Sequence, residues 1–253
     1  MVSDEFLRVL DAARSVNQQT GGAFDITVGG LVNLWGFGAS ERRSEKPGTD
    51  SIKEKLAHVG HGKFEIDTDR IAIRKIDPET EIDVSGIAKG YAVDAVAEIL
   101  LQSGFEDFIV EIGGEIRSAG RRPDGTPWRV AIERPDSGNR SIQMIIALDN
   151  ASIATSGDYR DYFEIGEKRY SHIIDPATGG PPENAVASVS VVATEAMAAD
   201  ALATGLMVMG TEKALGLAAA NLLAVMIIER SGDDYRILQS DGFEALRRAS
   251  QAN

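Results

Sequence analysis

The stretch Ile82-Asp83-Val84-Ser85-Gly86-Ile87-Ala88-Lys89-Gly90-Tyr91 constrains this chain more than any other. Its apolar start, its two glycines and the apolar residues Val93, Val96, Ala97, Leu100 and Leu101 predict a strand, a glycine-punctuated turn and a long amphipathic helix. At such a junction, unpaired N–H groups and the positive end of the helix dipole face outward, a setting that suits a phosphate. Gly86 and Gly90 leave room for a ligand to approach the backbone, and Lys89 adds a positive charge. Asp83 is a carboxylate at the end of a buried strand, where charged groups are unusual. The spacing matches neither G-x-G-x-x-G nor G-x-x-x-x-G-K-[ST], so a plain strand–turn–helix with a capping serine stays open.

The 253 residues suffice for a substantial core, and 43% hydrophobic with 26% charged residues is a globular composition. Apolar runs fall well short of the roughly 18 residues that cross a bilayer. A formal net charge of −13 argues against a nucleic-acid partner, yet admits an acidic ligand if a metal ion bridges the two. With no cysteine, thiol catalysis, zinc–thiolate sites and disulfides are excluded. Met1-Val2-Ser3-Asp4-Glu5 lacks the marks of a signal peptide, so the protein is expected to be cytosolic or to lack its natural amino terminus.

Ser3 to Gln19 predicts a helix with Ser3 as N-cap and Phe6, Val9, Leu10, Ala13 and Val16 on one face. Ala23 to Gly38 is apolar, aromatic and glycine-rich with one carboxylate, Asp25; it fits plain core or the wall of a flat-ring pocket. Ala39–Lys55 reads as a solvated excursion with a short helix, then a strand pair at Lys63–Asp67 and Arg70–Lys75 turning at Asp67-Thr68-Asp69. Further strands are expected at Phe108–Ile112, Trp128–Glu133, Ile142–Leu148, Val186–Ala193, Ala224–Glu229 and Tyr235–Leu238, with a loop at Arg121–Pro127. Helices are expected at Glu195–Met209 and near Thr211–Ala220, and one compact domain over residues 1–253.

Two positions carry chemistry. His172 is one of three histidines, structural or catalytic, and Asp175, Thr178 and Ser156 are expected to gather near it. Asp200 and Thr204 stand four apart on one helix face among small apolar residues, where a lone carboxylate is costly. A hard cation held by carboxylate and hydroxyl oxygens would resolve that cost, and so would an ion pair with a buried Lys or Arg.

The chain resembles the FAD:protein FMN transferase (ApbE) family. The resemblance rests on four ordered motifs: Gly21-Gly22-Ala23-Phe24-Asp25 through Leu34-Trp35-Gly36-Phe37-Gly38; Asp83 through Gly90; His172-Ile173-Ile174-Asp175-Pro176 with Thr178-Gly179; and Asp200-Ala201-Leu202-Ala203-Thr204-Gly205. It implies an α+β fold with a T-fold-like core of sheets backed by helices. The implied activity is magnesium-dependent cleavage of the FAD pyrophosphate, with FMN esterified to a Thr or Ser of a target flavoprotein, such as a redox-pump or reductase subunit, and AMP released. By resemblance, Ala23, Phe24, Asp25, Asp83, Lys89 and Ile174 contact FAD. Asp200 and Thr204 bind the metal by side chain, Gly86 and Ala203 by backbone oxygen, and His172 is the base. Some members carry a second carboxylate where this chain has Ala203, which lowers the metal affinity expected here.

Members of the family also carry a segment ahead of the first helix, absent from this sequence, and many are exported and lipid-anchored. A periplasmic or inner-membrane-associated location is therefore implied, while the sequence itself carries no signal peptide and also allows a cytoplasmic one. The same residues would serve an FAD pyrophosphatase giving FMN and AMP, or a flavin-binding module without catalysis, and oxygen ligands suit Mg²⁺ and Mn²⁺ alike.

Overall fold

The computed structural model describes residues 1–38, 45–67, 69–136, 141–166, 168–232 and 234–252. Residues 39–44 of the expected excursion and Thr68 of the expected turn lie outside them. Helix α1 (Asp4–Gln19) starts where Ser3 Oγ accepts the Phe6 N–H at 3.2 Å, with Asp4 and Glu5 at the positive end of its dipole. Its Leu7, Val9, Leu10, Ala13 and Val16 are buried. The glycine-rich run that follows forms a loop and a short helix α2 (Gly29–Trp35), and α3 (Thr49–Leu56) comes next. Strands β1 (Phe64–Asp67) and β2 (Ala72–Lys75) pair antiparallel.

Helix α4 (Ser85–Gln102) corrects two expectations. No strand leads into it: a single parallel bridge joins Val28 to Glu81, and the Asp83 N–H donates to Ile26 O at 2.7 Å. Asp83 Oδ1 accepts the Ser85 N–H at 2.7 Å, so an aspartate, not a serine, satisfies the first helical donor. Gly86 and Gly90 consequently lie within the helix. Val93 and Ala97 are buried, whereas Val96 and Leu101 face solvent, because the contact face of α4 runs through Gly90, Val93, Asp94 and Ala97.

The remaining elements are β3 (Phe108–Ile112), β4 (Glu115–Ala119), β5 (Trp128–Glu133), β6 (Ile142–Leu148), β7 (Ser152–Gly157), β8 (Tyr162–Ile165), β9 (Lys168–Ser171), β10 (Val186–Ala193), α5 (Ala196–Met209), α6 (Thr211–Asn221), β11 (Ala224–Ser231), β12 (Asp234–Gln239) and α7 (Asp241–Ala252). Six strands form a central antiparallel sheet in the order β12-β11-β10-β7-β4-β3. One face, with Ala154, Val189, Val191, Val225 and Ile227, packs against α1 and α5. The other, with Ile153, Met226 and Ile228, is covered by the β5–β6 hairpin through Val130, Ile132, Ile146 and Leu148, and by Phe243 of α7. Each fully buried aliphatic side chain contributes about 1.5–3 kcal/mol, so both faces stabilise the fold. The result is a single mixed helix-and-sheet domain of α+β class. Among the described residues no helix is long and apolar enough to cross a membrane.

Asp94, 1% exposed, fastens the helices to the sheet. Its Oδ1 accepts from Arg117 of β4 at 2.7 Å and from the Ala196 N–H at 3.0 Å; its Oδ2 accepts the Met197 N–H at 2.8 Å. A carboxylate from α4 thereby satisfies the N-terminus of α5. The helices cross so closely that a Cβ at position 90 would fall on the Ala196 carbonyl, which explains the glycine.

Candidate active site

Where α4 and α5 meet the edge of the central sheet, a cleft of about 460 Å³ opens. Residues from five separate stretches line it: the loop and helix after α1, the start of α4, the β3–β4 turn, the segment from β7 to just beyond β9, and Asp200 and Thr204 of α5.

The aromatic wall comes from Phe24, Val28, Val32 and Phe37. Thr20 Oγ1 accepts the Phe24 N–H at 3.1 Å, and Asn17 Nδ2 donates to Phe24 O at 2.7 Å, so the loop is tied to the end of α1. Asp25 is buried and held: its Oδ1 accepts from Thr27 N–H at 2.8 Å and Thr27 Oγ1 at 2.6 Å, its Oδ2 from Asn17 at 3.2 Å.

The polar floor centres on Asp200, 2% exposed. Asp200 Oδ2 accepts the Gly90 N–H at 3.0 Å, and Lys89 Nζ lies 3.4 Å from Oδ1. In a regular helix the Gly90 N–H pairs with the Gly86 carbonyl, so Asp200 competes for that donor. Lys89 Nζ also sits 3.0 Å from Glu115 Oε1, the first residue of β4. The ion-pair alternative for Asp200 is therefore realised with Lys89. Burial pushes the carboxyls of Asp200 and Glu115 up, against the pull of Lys89. Burial alone would lower the Lys89 ammonium, but the two carboxylates hold it above its ordinary value. Thr204, one turn beyond Asp200, bonds Ser156 of β7, Oγ1 to Oγ, at 3.0 Å.

His172 follows β9 and meets Phe37 edge-on. Its backbone N–H donates to Asp161 O at 3.1 Å, and its ring Nδ1 lies 3.0 Å from the same oxygen. A carbonyl only accepts, so Nδ1 carries the proton and Nε2 keeps the lone pair. The preceding loop is clamped by Asp158, whose carboxylate receives both arms of Arg230 at 2.6 and 2.7 Å.

Ala23, Phe24, Asp25, Asp83, Gly86, Lys89, His172, Ile174, Asp200 and Thr204 all line this cleft. Ala203 does not; it is fully buried on α5 beside Thr204. Ser156 joins His172 as expected, but Asp175 and Thr178 do not: they line a neighbouring pocket with Trp35 and Tyr170. Asp175 is taken up by its own turn, accepting the Ala177 N–H at 2.8 Å, and Trp35 Nε1 donates to Gly179 O at 2.8 Å. Glu115, Thr155 and Arg160 line the cleft without having been singled out. A glutamate following two glycines resembles an exposed turn residue, and only the pairing of β3 with β4 buries it.

The ApbE family model matches residues 1–227. The chain belongs to the ApbE family. The FAD:protein FMN transferase of Haemophilus influenzae is 44% identical over 248 residues, 97% of this chain and 72% of the relative. That of Vibrio cholerae is 46% identical over 243 residues, 96% of this chain and 72% of the relative. Among solved structures, the flavin transferase ApbE from Vibrio cholerae superposes with a TM-score of 0.88 at 44% identity, covering 97% of this chain and 77% of that one. The ApbE protein of Thermotoga maritima gives 0.88 at 34% identity, covering 98% and 79%. Against the ApbE expectation of a metal, the donor set is chemically suitable: the Asp200 carboxylate and Thr204 hydroxyl are hard oxygen donors facing one cleft. Among the described residues no three His, Asp or Glu side chains cluster to hold a metal, so these two side chains are the donors in question.

Proposed function

We propose that this protein is a magnesium-dependent FAD:protein FMN transferase that joins FMN through its phosphate to a Thr or Ser hydroxyl of a flavoprotein and releases AMP. The observation that carries the reading is the convergence on one cleft of a histidine with its Nε2 lone pair free of the Asp161 carbonyl, a buried carboxylate and an aromatic wall. In this reading Phe24 and Ile174 pack against the flavin, and Ala23, Asp25 and Asp83 line the cleft beside it. Lys89 offers positive charge to the pyrophosphate.

Asp200 and Thr204, with the backbone oxygen of Gly86, would hold Mg²⁺ or Mn²⁺; Ala203, a backbone ligand by resemblance alone, lies behind the lining. The ion would neutralise charge that builds on the pyrophosphate. The acceptor oxygen bonds to the FMN-side phosphorus, the P–O bond to the AMP half breaks, and AMP departs with the bridging oxygen. His172 Nε2 takes the hydroxyl proton, the step for which its fixed tautomer suits it.

Incubation with FAD and Mg²⁺, with and without an acceptor domain carrying a reactive Thr, followed by mass spectrometry, tests the assignment. An acceptor heavier by FMN with matching AMP is expected. FMN and AMP in equal amounts regardless of acceptor would replace transfer by hydrolysis, and intact FAD in every tube would remove catalysis.

A further inference from the structure

Glu115 is 2% exposed, yet its Oε2 has no hydrogen-bond partner while Oε1 meets Lys89 at 3.0 Å. A buried carboxylate oxygen left unsatisfied is costly and calls for a second arrangement in which it is used. Lys89 is shared between Glu115 and Asp200, with Asp200 the more distant partner at 3.4 Å. An ammonium has three donors, so Lys89 can give one to each oxygen of Glu115 if it leaves Asp200. Glu115 stands at the start of β4 and Lys89 on the first turns of α4, both lining the cleft, and Lys89 already meets both carboxylates.

We propose that Glu115 is a positioning residue that takes Lys89 away from Asp200 when a divalent cation binds. Lys89 lies 3.4 Å from Asp200 Oδ1, and Glu115 draws it off to leave that oxygen for the ion. Without Glu115, the ammonium has Asp200 as its one carboxylate partner in this group and competes with the cation for it. The inference rests on Asp200 being a cation ligand, as in the function proposed above.

The test is Mn²⁺ binding to the full chain without FAD, followed by electron paramagnetic resonance of the free ion. The variants are Glu115→Gln, Lys89→Met, the double variant and Asp200→Asn, all matched by circular dichroism. Glu115→Gln is expected to weaken Mn²⁺ binding about tenfold, and Lys89→Met to strengthen it severalfold. In the Lys89→Met background, Glu115→Gln is expected to cost less than threefold, because no ammonium remains to be moved. An equal loss in both backgrounds would make Glu115 a direct ligand and overturn the proposal. Should Glu115→Gln not fold, Lys89→Met alone decides: unchanged or weaker Mn²⁺ binding defeats it. Mn²⁺ binding that Asp200→Asn leaves intact would sink the cation role of Asp200 itself, a result distinct from either failure above.

Discussion

His172 Nδ1–H donates to the Asp161 carbonyl, which leaves Nε2 as the ring nitrogen not tied to it. Replacing it with alanine removes that nitrogen but none of the residues that form the aromatic wall or the polar floor. His172→Ala is therefore expected to lower FMN transfer by about 10²–10⁴-fold while leaving the FAD dissociation constant within a few-fold. Fluorescence titration with FAD beside a transfer assay checks both halves; lost binding with retained turnover would refute the role. At this scale His172 and Asp200 were legible as candidates, one as a rare histidine in a polar stretch and the other as a carboxylate among small apolar residues, though each also had a structural reading. Glu115 was not, because nothing local distinguishes a buried glutamate from a solvated one.

The contact between α4 and α5 depends on Asp94 and Gly90, and each gives a prediction. Asp94→Ala strands the largely buried Arg117 and uncaps α5, at a cost of about 3–5 kcal/mol. For a domain of this size that is a fall of roughly 6–20 °C in the midpoint of thermal unfolding, measurable by calorimetry. Gly90→Ala forces its methyl group onto the Ala196 carbonyl and is expected to cost about 1–3 kcal/mol and to reduce transfer by displacing Asp200. A Gly90→Ala protein with unchanged midpoint and turnover would show that the helices yield freely.

Periodicity located α1, α5, β3, β5, β6 and β10 because each has an apolar face or run of its own. It missed β7, whose Ser-Ile-Ala-Thr-Ser-Gly has little strand propensity and is held by β10 and β4 on either side. It also missed β4, β8, β9 and α7, although Phe243 and Leu246 stand at helical spacing and Glu244 pairs with Arg248 one turn on. The strand expected at Ile82–Val84 failed for the opposite reason: Ile82 and Val84 only pack against the core, and the single bridge, at Glu81, lies before them with no ladder beside it.

On the scale of the whole molecule, the buried carboxyls of Asp200 and Glu115 link stability to pH. Both have folded values raised above the ordinary 3.8 and 4.5, chiefly by burial. The folded state therefore holds more protons than the unfolded one in the window above those ordinary values, and stability falls as pH rises through it. Lys89, raised above 10.5, adds a contribution that persists across this window and is lost only at higher pH. In the absence of divalent cations, Asp200→Asn is expected to gain stability relative to the parent as pH climbs from about 4 toward neutrality. Urea denaturation across that range reads the difference, and a parent that gains on the variant would contradict it.

The cleft joins Phe24 after the first helix to Thr204 in the fifth, with β7 threaded between β10 and β4 to close its floor. During synthesis the Phe24 wall and Lys89 leave the ribosome early, His172 much later and Asp200 and Thr204 last. Phe24 shares its core with α1 and α5, so the early wall is not fully packed until α5 arrives. A cleft gathered from stretches so far apart therefore closes in one late step, once α5 has emerged and docked.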